Sequence, residues 1–235
     1  MTLQEIMSEL KAMGNADTKR IFMNHGAQEP LFGVKVGDLK KILKKTKTNH
    51  NLAIQLYETG NSDAMYLAAL MADHTKVTRE KLQSWIAKAN WYMLSEYAVA
   101  GLAAESPYGL ELSRHWRQSD QELVAAAGWA TYSGVISITE NSKLDLKEID
   151  SLLDHIKENI HHSPDRVRYT MNGFLITVGG YIPSLTAKAK DISTQIGKVT
   201  VNLGNTACKV PYAPEYIAKM VDRGSYNKKR QAVRC

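Results

Sequence analysis

The sequence predicts an all-α fold, a solenoid in which antiparallel helix pairs stack into an α-α superhelix. Three observations predict this fold. Apolar residues recur at helical spacing along almost the whole chain of 235 residues. Short polar turns separate the apolar segments. The first helices of successive pairs begin near residues 62, 91, 119 and 164, a spacing of about 28 residues that one polar loop stretches.

The N-terminal half reads as a series of capped helices. Thr2 precedes a helix predicted over residues 3–13, and Asn15 precedes one predicted over 16–25. Such side chains accept hydrogen bonds from the free backbone N–H groups of a first helical turn. Four further helices are predicted, after Gly33, before Gly60, after Ser62 and after Thr78.

The C-terminal half continues this plan. Ser119 is expected to open a helix over DQELVAAAGWATYSGV, and Ser163 with Pro164 to cap and begin one over DRVRYTMNGFLITVG. Alanine-rich faces would let the helices approach closely, which favours an array of HEAT type over an irregular helical bundle. We divide the chain into a HEAT-like helical repeat domain, residues 1–197, and a C-terminal extension, residues 198–235, with one short helix and a basic tail.

Positive charge is concentrated in two segments of the chain. The formal net charge is +6. Six lysines and one acid between Lys35 and Lys47 give +5, and five basic side chains without an acid between Arg223 and Cys235 give another +5, which leaves −4 for the remainder. Clustered positive charge suits a polyanion such as nucleic acid. Solvated surface segments are the alternative interpretation.

Several protein classes are excluded by what the sequence lacks. It has no apolar run of about 18 residues, no signal-peptide pattern, and no glycine-rich phosphate loop or HExxH helix. Cys208 and Cys235 form no metal pattern with the histidines and suit a reducing compartment. We expect a buried structural Cys208 rather than a thiol activated by Lys209. The chain is thus predicted to be a cytoplasmic monomer with no membrane contact, no metal and no cofactor.

Arginines and tryptophans provide the candidate binding residues. Arg166 and Arg168 lie in the first turns of a predicted helix, where the helix dipole disfavours cations but the free N–H groups would attract a phosphate. Screening by Asp165 and solvent is the alternative. Tryptophans in helices are usually core residues. Trp91 is the less certain case, because Tyr92 and Ser95 crowd around it; the other three are Trp85, Trp116 and Trp129.

Several segments together resemble the AlkD-like DNA alkylation repair family, whose members form the HEAT-like repeat DNA glycosylase superfamily. The matching segments are KRIFMNHGAQEPLFGVKVGDLKKILKK, LAIQLYETGNSDAMYLAALMADH, KANWYMLSEYAVAGLA and the tail that begins GNTACKVPYAPEYIAKM. The resemblance implies a right-handed solenoid that holds duplex DNA in a basic concave groove. It also implies excision of N3- and N7-alkylated purines in active members, where a carboxylate stabilises the sugar cation.

One feature of active members is missing from this chain. Their motif reads roughly N-W-x-x-x-D; Asn90 and Trp91 match it, but Ser95 stands at the carboxylate position. Glu96 follows, about 100° further round an α-helix, and should therefore point elsewhere. The resemblance places the family's arginine at about Ala125, in a helix segment without arginine.

Two aromatic positions of the family are also replaced. A later tryptophan corresponds to Phe174, and an early groove tyrosine corresponds to Ile21 or Phe22. We therefore assign no catalytic residue and leave open whether the protein is an enzyme.

Three hypotheses follow from this sequence. The first is a DNA-binding protein that recognises damaged or branched DNA without base excision. The second is an alkylpurine DNA glycosylase with a rearranged site, in which Glu96 or another acid acts. The third is a protein-interaction scaffold whose basic segments bind acidic partners. Under the first hypothesis the predicted DNA contacts are Lys40, Lys44, Lys47, Trp91, Ser95, Arg166, Arg168, Lys228, Lys229 and Arg230.

Overall fold

The computed structural model describes residues 1–234, and its regular elements over this range are helices, with no strand. The all-α prediction is confirmed; Cys235 lies outside the described residues. The thirteen α-helices of the described range are α1 (Leu3–Met13), α2 (Ala16–Asn24), α3 (Val36–Thr46), α4 (His50–Glu58), α5 (Ser62–Met71), α6 (Arg79–Lys88), α7 (Ala100–Glu105), α8 (Gly109–Trp116), α9 (Glu122–Ile138), α10 (Leu146–Asn159), α11 (Asp165–Tyr181), α12 (Thr186–Ile196) and α13 (Ala213–Asp222).

Shorter helical segments join some of these α-helices. A π-helix, Met93–Val99, runs directly into α7, so residues 93–105 form one continuous helix that we call the 93–105 helix. Three single 3₁₀ turns, each of three residues, precede α10, α11 and α12: Asn141–Lys143, Ile160–His162 and Pro183–Leu185. None of the helices in residues 1–234 combines the length and apolar character needed to cross a bilayer.

Several predicted helix starts are confirmed by the side chains that cap them. Thr2 accepts from the backbone N–H of Glu5, whose carboxylate returns a bond to Thr2 in a capping box. Asn15 and Thr78 cap α2 and α6 in the same way. Two starts differ from the prediction, because Asn61 rather than Ser62 caps α5 and α9 begins only at Glu122, three residues after Ser119.

The helices form two packed layers. The first layer, called layer A here, contains α5, the 93–105 helix, α9 and α11, and each of these packs against the next. Helices α6, α8 and α12 pack against members of layer A, and α10 packs against α12. Small residues allow close approach within this arrangement: a Cβ at Gly128 of α9 would lie 2.5 Å from the backbone nitrogen of Arg117, just after α8.

Aromatic side chains fill the core between these layers. Tyr57 stacks on Trp85 with ring centroids 4.0 Å apart, and its hydroxyl donates to the Trp85 carbonyl at 2.7 Å. Trp85, Trp116 and Trp129 are all at most 2% exposed, as expected of core tryptophans. Burial of such large rings is a dominant favourable contribution to folding.

The end of the chain crosses the C-terminal ends of the layer A helices. The backbone N–H of Asn227 donates to Gly180 of α11, and that of Arg230 donates to Ser137 of α9, both at 2.8 Å. Arg234 donates to Glu105 of the 93–105 helix and to the carbonyl of Ala72, just after α5. Carbonyl ends of helices carry partial negative charge, so a basic segment is favourable there.

The prediction of a buried Cys208 is wrong. This cysteine is exposed, and its Sγ lies 3.8 Å from Nε2 of His25. The segment around it has no regular secondary structure, although Asn172 of α11 donates to the carbonyl of Pro211 nearby. Because the segment lies along the surface of the helices and not between them, its cysteine keeps contact with solvent.

Candidate nucleic-acid interface

The segment ANWYMLSEYA, where the family's carboxylate is expected, contains the π-helix. Such widened turns are rare and frequently occur at functional sites. Ser95 has no exposed surface, and its Oγ has only a long contact, 3.5 Å, to the Tyr92 carbonyl. Glu96, which was expected to point to a different side of the helix from Ser95, is the next residue of the π-helix. Its side chain is 3% exposed and reaches α11.

Glu96 forms a buried ion pair with Arg166. Nε and a terminal nitrogen of Arg166 donate to the two carboxylate oxygens of Glu96 at 2.7 and 2.5 Å, which is bidentate geometry. The guanidinium carbon lies 4.3 Å from the ring centroid of Tyr92 and 4.5 Å from that of Tyr169. Cation–π contacts at such distances stabilise a desolvated guanidinium.

This environment bears on the predicted role of Arg166. Its side chain is 14% exposed and two of its nitrogens donate to a carboxylate, so a phosphate contact would compete with the Glu96 pair. The cost of a cation near a helix N-terminus is offset here by the charge of Glu96. Glu122 at the start of α9 also contributes, by accepting the backbone N–H of Arg166 at 2.7 Å.

Burial changes the acid–base properties of this cluster. It raises the pKa of Glu96, against the hydrogen bonds from Arg166 that favour the ionised form. Desolvation disfavours the charge on Arg166, but the bonds from Glu96 still keep its pKa above the ordinary value. Burial also raises the pKa of Tyr92, Tyr97 and Tyr169, so their phenols stay neutral at physiological pH.

Trp91 and Ser95 also differ from their predicted role as DNA contacts. Trp91 is only 6% exposed and packs against Phe22, with ring centroids 5.3 Å apart. Of the two candidates for the family's early tyrosine position, Phe22 is thus the aromatic neighbour of Trp91, whereas Ile21 is half exposed. Ser95 cannot contact a ligand because it has no surface. Both residues shape the interior of this region.

The other two positions suggested by the resemblance are core residues. Ala125 is 5% exposed, and Phe174 is fully buried against Trp129, with ring centroids 5.3 Å apart. The nearby Arg117 lies over the Trp129 ring at 5.1 Å and pairs with Glu148 at 3.3 Å, so it is a structural cation. Among residues 1–234, moreover, no group of three or more His, Cys, Asp or Glu side chains could hold a metal ion.

The lysines of α3 divide into paired and unpaired residues. Lys41 pairs with Asp38 at 2.7 Å, and Lys45 pairs with Glu9 at 2.5 Å. The other three have no ion pair within the described chain, and they stand at i, i+4 and i+7, on one face of the helix and its end. These residues, called the lysine stripe below, are Lys40, Lys44 and Lys47; the last two are exposed.

The basic residues near the C-terminus are not equivalent. The amine of Lys229 donates to the Ile136 carbonyl at 2.7 Å and lies over the Tyr181 ring, so its predicted contact with phosphate would compete with these interactions. Burial lowers its pKa to about 8. Lys228 is exposed, and Arg230 is exposed and donates to the Val233 carbonyl.

Arg168 has an acidic neighbour on its own helix. It pairs with Asp165 three residues earlier, and its side chain is 23% exposed. Asp165 therefore offsets the cost of a cation in the first turns of α11, as the alternative interpretation expected. Part of the Arg168 side chain remains accessible to solvent.

Reasoning from the sequence missed the tyrosines of this region. Tyr92 and Tyr97 are five residues apart, and their rings meet edge to face with centroids 6.1 Å apart. Tyr169 of α11 lies, like Tyr92, against the Arg166 guanidinium. The spacing of five is a turn of a π-helix and not of an α-helix, so α-helical periodicity could not bring them together.

Comparisons with known proteins agree with this architecture. The sequence model of a family described as DNA alkylation repair enzyme matches residues 6–217. An uncharacterized protein of Listeria monocytogenes is 40% identical over 229 residues, and one of Listeria innocua is 38% identical over the same length. Each alignment covers 95% of this chain and 99% of the relative.

A solved structure matches the whole chain. It superposes with a TM-score of 0.91 at 39% identity and covers 100% of both chains. That protein comes from a new family related to the HEAT-like repeat DNA glycosylases, with affinity for branched DNA structures. The agreement extends over the helices and the C-terminal segment, so the repeat architecture is HEAT-like. With the family match over residues 6–217, this protein belongs to the DNA alkylation repair family.

Proposed function

We propose that this protein binds branched or damaged DNA and does not excise bases. The observation that carries the proposal is its similarity, over its full length, to a protein whose family has affinity for branched DNA. The residues at the expected active site support the proposal that the protein does not excise bases. Ser95 replaces the acid, and both oxygens of the adjacent Glu96 are already bonded to Arg166. Glu96 therefore has no free carboxylate oxygen to stabilise a sugar cation.

The lysine stripe is the proposed main contact with the DNA backbone. Lys40 and Lys44 share one face of α3 and Lys47 follows its C-terminal end, and no acid pairs with them in the described chain. Each phosphate neutralised by such a cation releases condensed counterions, which makes binding steeply salt-dependent. Arg168, Lys228 and Arg230 are proposed as further contacts, and together these residues would give the binding face its basic character.

A binding panel tests this proposal. A four-way junction, a duplex with an abasic site and an intact duplex are titrated by gel shift at salt concentrations between about 50 and 200 mM. We expect tightest binding to the junction, with affinity that falls steeply as salt increases. Absence of binding to all three DNAs at low salt would instead favour a protein-interaction scaffold.

The lysine stripe can be tested with a charge-matched control. Changing Lys40, Lys44 and Lys47 together to Ala should weaken binding and reduce the slope of log K against log salt by about 2.7, since each lost phosphate contact contributes about 0.9. The control changes three exposed lysines of the α10 region to Ala and removes the same charge: Lys143, Lys147 and Lys157. Equal losses in both triple variants would show that only net charge matters.

A base-release assay separates binding from excision. Alkylated DNA is incubated with the wild-type protein, and free 3-methyladenine is measured against an enzyme-free background. We expect no release above background. Release that Glu96→Gln abolishes would establish the alkylpurine glycosylase alternative with a rearranged site.

A further inference from the structure

A cavity of about 450 Å³ lies between the 93–105 helix, α9 and α11, with α13 and the C-terminal segment at its edge. This volume is within the range of pockets that bind small organic groups. The cavity adjoins the Glu96–Arg166 pair but is separate from the buried surroundings of Trp91. The proposed DNA contacts do not account for it, since only Arg230 among them lines it.

Tyrosines provide the aromatic surface of the cavity. Tyr97, Tyr169 and Tyr181 all line it, from the 93–105 helix and from both ends of α11. Tyr97 is 46% exposed, which is unusual for a large ring in a packed layer, and its ring meets that of Tyr92 edge to face with centroids 6.1 Å apart. Exposed aromatic rings are the surfaces on which unstacked nucleic-acid bases are bound.

Small residues keep the cavity open. Ser133, Gly134 and Gly173 line it from α9 and α11. Packing explains Gly134, because a Cβ there would lie 2.7 Å from the Ala104 Cβ. Packing does not explain Gly173, where a Cβ would meet no atom within 4 Å. A glycine inside a helix lowers stability by about 1 kcal/mol relative to alanine. Gly173 therefore leaves the cavity open although alanine would favour the helix.

The charges around the cavity suit a nucleotide. Glu96 is at its edge, but Arg166 compensates its negative charge. Arg230 lines the cavity and contributes a guanidinium. The cavity thus combines neutral aromatic rings, hydroxyl groups and one cation, which match the base, the sugar and the phosphate of a nucleotide, respectively.

We propose that this cavity takes an unpaired nucleotide of bound DNA, with its base against Tyr97 and Tyr169 and its phosphate near Arg230. The inference rests on the proposed DNA-binding function and identifies an unpaired nucleotide as the DNA feature that the cavity recognises. A base at a branch point, bulge or lesion is already partly unstacked. Its transfer into the cavity therefore costs less than extraction of a base from an intact duplex.

The test compares two DNAs that differ by one nucleotide. One duplex carries a single unpaired 2-aminopurine as a bulge, and the other has the same sequence fully paired. Dissociation constants and 2-aminopurine fluorescence are measured for the wild type and for Gly173→Leu, which fills the cavity. Ala187→Leu is the control, because Ala187 is an exposed small residue of α12 that lies outside both the cavity lining and the proposed DNA contacts.

We expect the wild type to bind the bulged duplex about ten-fold more tightly and to change the 2-aminopurine fluorescence by stacking. Gly173→Leu should lose this preference and keep its affinity for the paired duplex, while Ala187→Leu should keep both. Tyr97→Ala should also lose the preference, and Tyr97→Phe should retain it, because the ring is preserved. Tyr97 is half exposed, so these two variants test the cavity even if Gly173→Leu does not fold.

Each part can fail separately. If the wild type prefers the bulge and both Gly173→Leu and Tyr97→Ala leave that preference intact, the cavity proposal is overturned and DNA binding stands. An equal affinity of the wild type for the two duplexes also overturns it. If the wild type binds neither duplex nor a junction at low salt, the proposed function itself falls, and the cavity proposal with it.

Discussion

Glu96 and Arg166 lie 70 residues apart in the sequence, yet both oxygens of the Glu96 carboxylate accept hydrogen bonds from the Arg166 guanidinium. The pair joins the π-helix to the first turn of α11, and the side chains are 3% and 14% exposed. A carboxylate next to an expected catalytic position is thus bound by an expected phosphate-binding residue. Arg166 occupies both carboxylate oxygens of Glu96, and Glu96 occupies two of the nitrogens with which Arg166 would bind a phosphate.

The ion pair should show strong coupling in stability measurements. Arg166→Met leaves Glu96 as an unpaired buried carboxylate, and we expect it to lower the free energy of unfolding by about 3–5 kcal/mol at neutral pH. Glu96→Gln combined with Arg166→Met should cost less than Arg166→Met alone, since no buried charge remains. Urea unfolding of the single and double variants measures this, and additive effects would contradict the coupling.

A surface ion pair serves as the control for this cycle. Lys143 and Glu140 are both 69% exposed and form an ion pair of 2.9 Å. Lys143→Ala should change the free energy of unfolding by less than about 1 kcal/mol, because water and ions screen exposed pairs.

Arg234 should anchor the C-terminal segment. Its side chain is 11% exposed, donates to the Glu105 carboxylate at 2.8 Å and reaches the Ala72 carbonyl at the end of α5. Arg234→Ala removes these bonds and leaves Glu105 with a buried charge, so we expect a loss of about 3 kcal/mol in urea unfolding. Arg223→Ala, at an exposed position of the same basic segment, should change stability by less than about 0.5 kcal/mol.

Lys229 predicts a pH dependence of stability. Burial lowers its folded-state pKa to about 8, so the folded protein releases this proton at lower pH than the unfolded chain does. The unfolded state then binds more protons, and the contribution of Lys229 to the free energy of unfolding rises with pH from about 8 towards the ordinary lysine value. Below pH 8 both states are charged and the full cost of burying the cation remains.

The measurement compares urea midpoints at pH about 7 and about 9.5. Between these two pH values, the urea midpoint of the wild type should rise relative to that of Lys229→Met, because methionine has no proton to release. Lys228→Met, at the exposed neighbouring position, should behave as the wild type. An identical pH response of wild type and Lys229→Met would show that the amine is not desolvated.

Ser95→Asp should not produce a glycosylase. Ser95 has no exposed surface, so an aspartate there introduces a second buried carboxylate beside Glu96 without reaching DNA. We expect a lower melting temperature and no release of 3-methyladenine from alkylated DNA. The position of the family's arginine, about Ala125, also lies in the core. Measurable base release by Ser95→Asp would mean that DNA can reach this residue.

Local patterns were sufficient to predict most of the fold. Apolar periodicity and capping residues such as Thr2, Asn15 and Thr78 placed helix starts correctly, because a cap acts within one turn of its own helix. The late start of α9 was missed, since a serine two or three residues ahead can cap a turn without starting a helix. There, Ser119 accepts from the backbone N–H of Gln121 instead.

The candidate site depended much more on tertiary structure. The sequence by itself determined that the lysine stripe exists and that Ser95 stands where an acid is expected, because both are statements about residue identity at known spacing. It could not determine that Arg166 meets Glu96 or that Lys229 is covered by α9 and Tyr181. Those properties depend on burial and on partners far away in the chain, which only the packing of the helices decides.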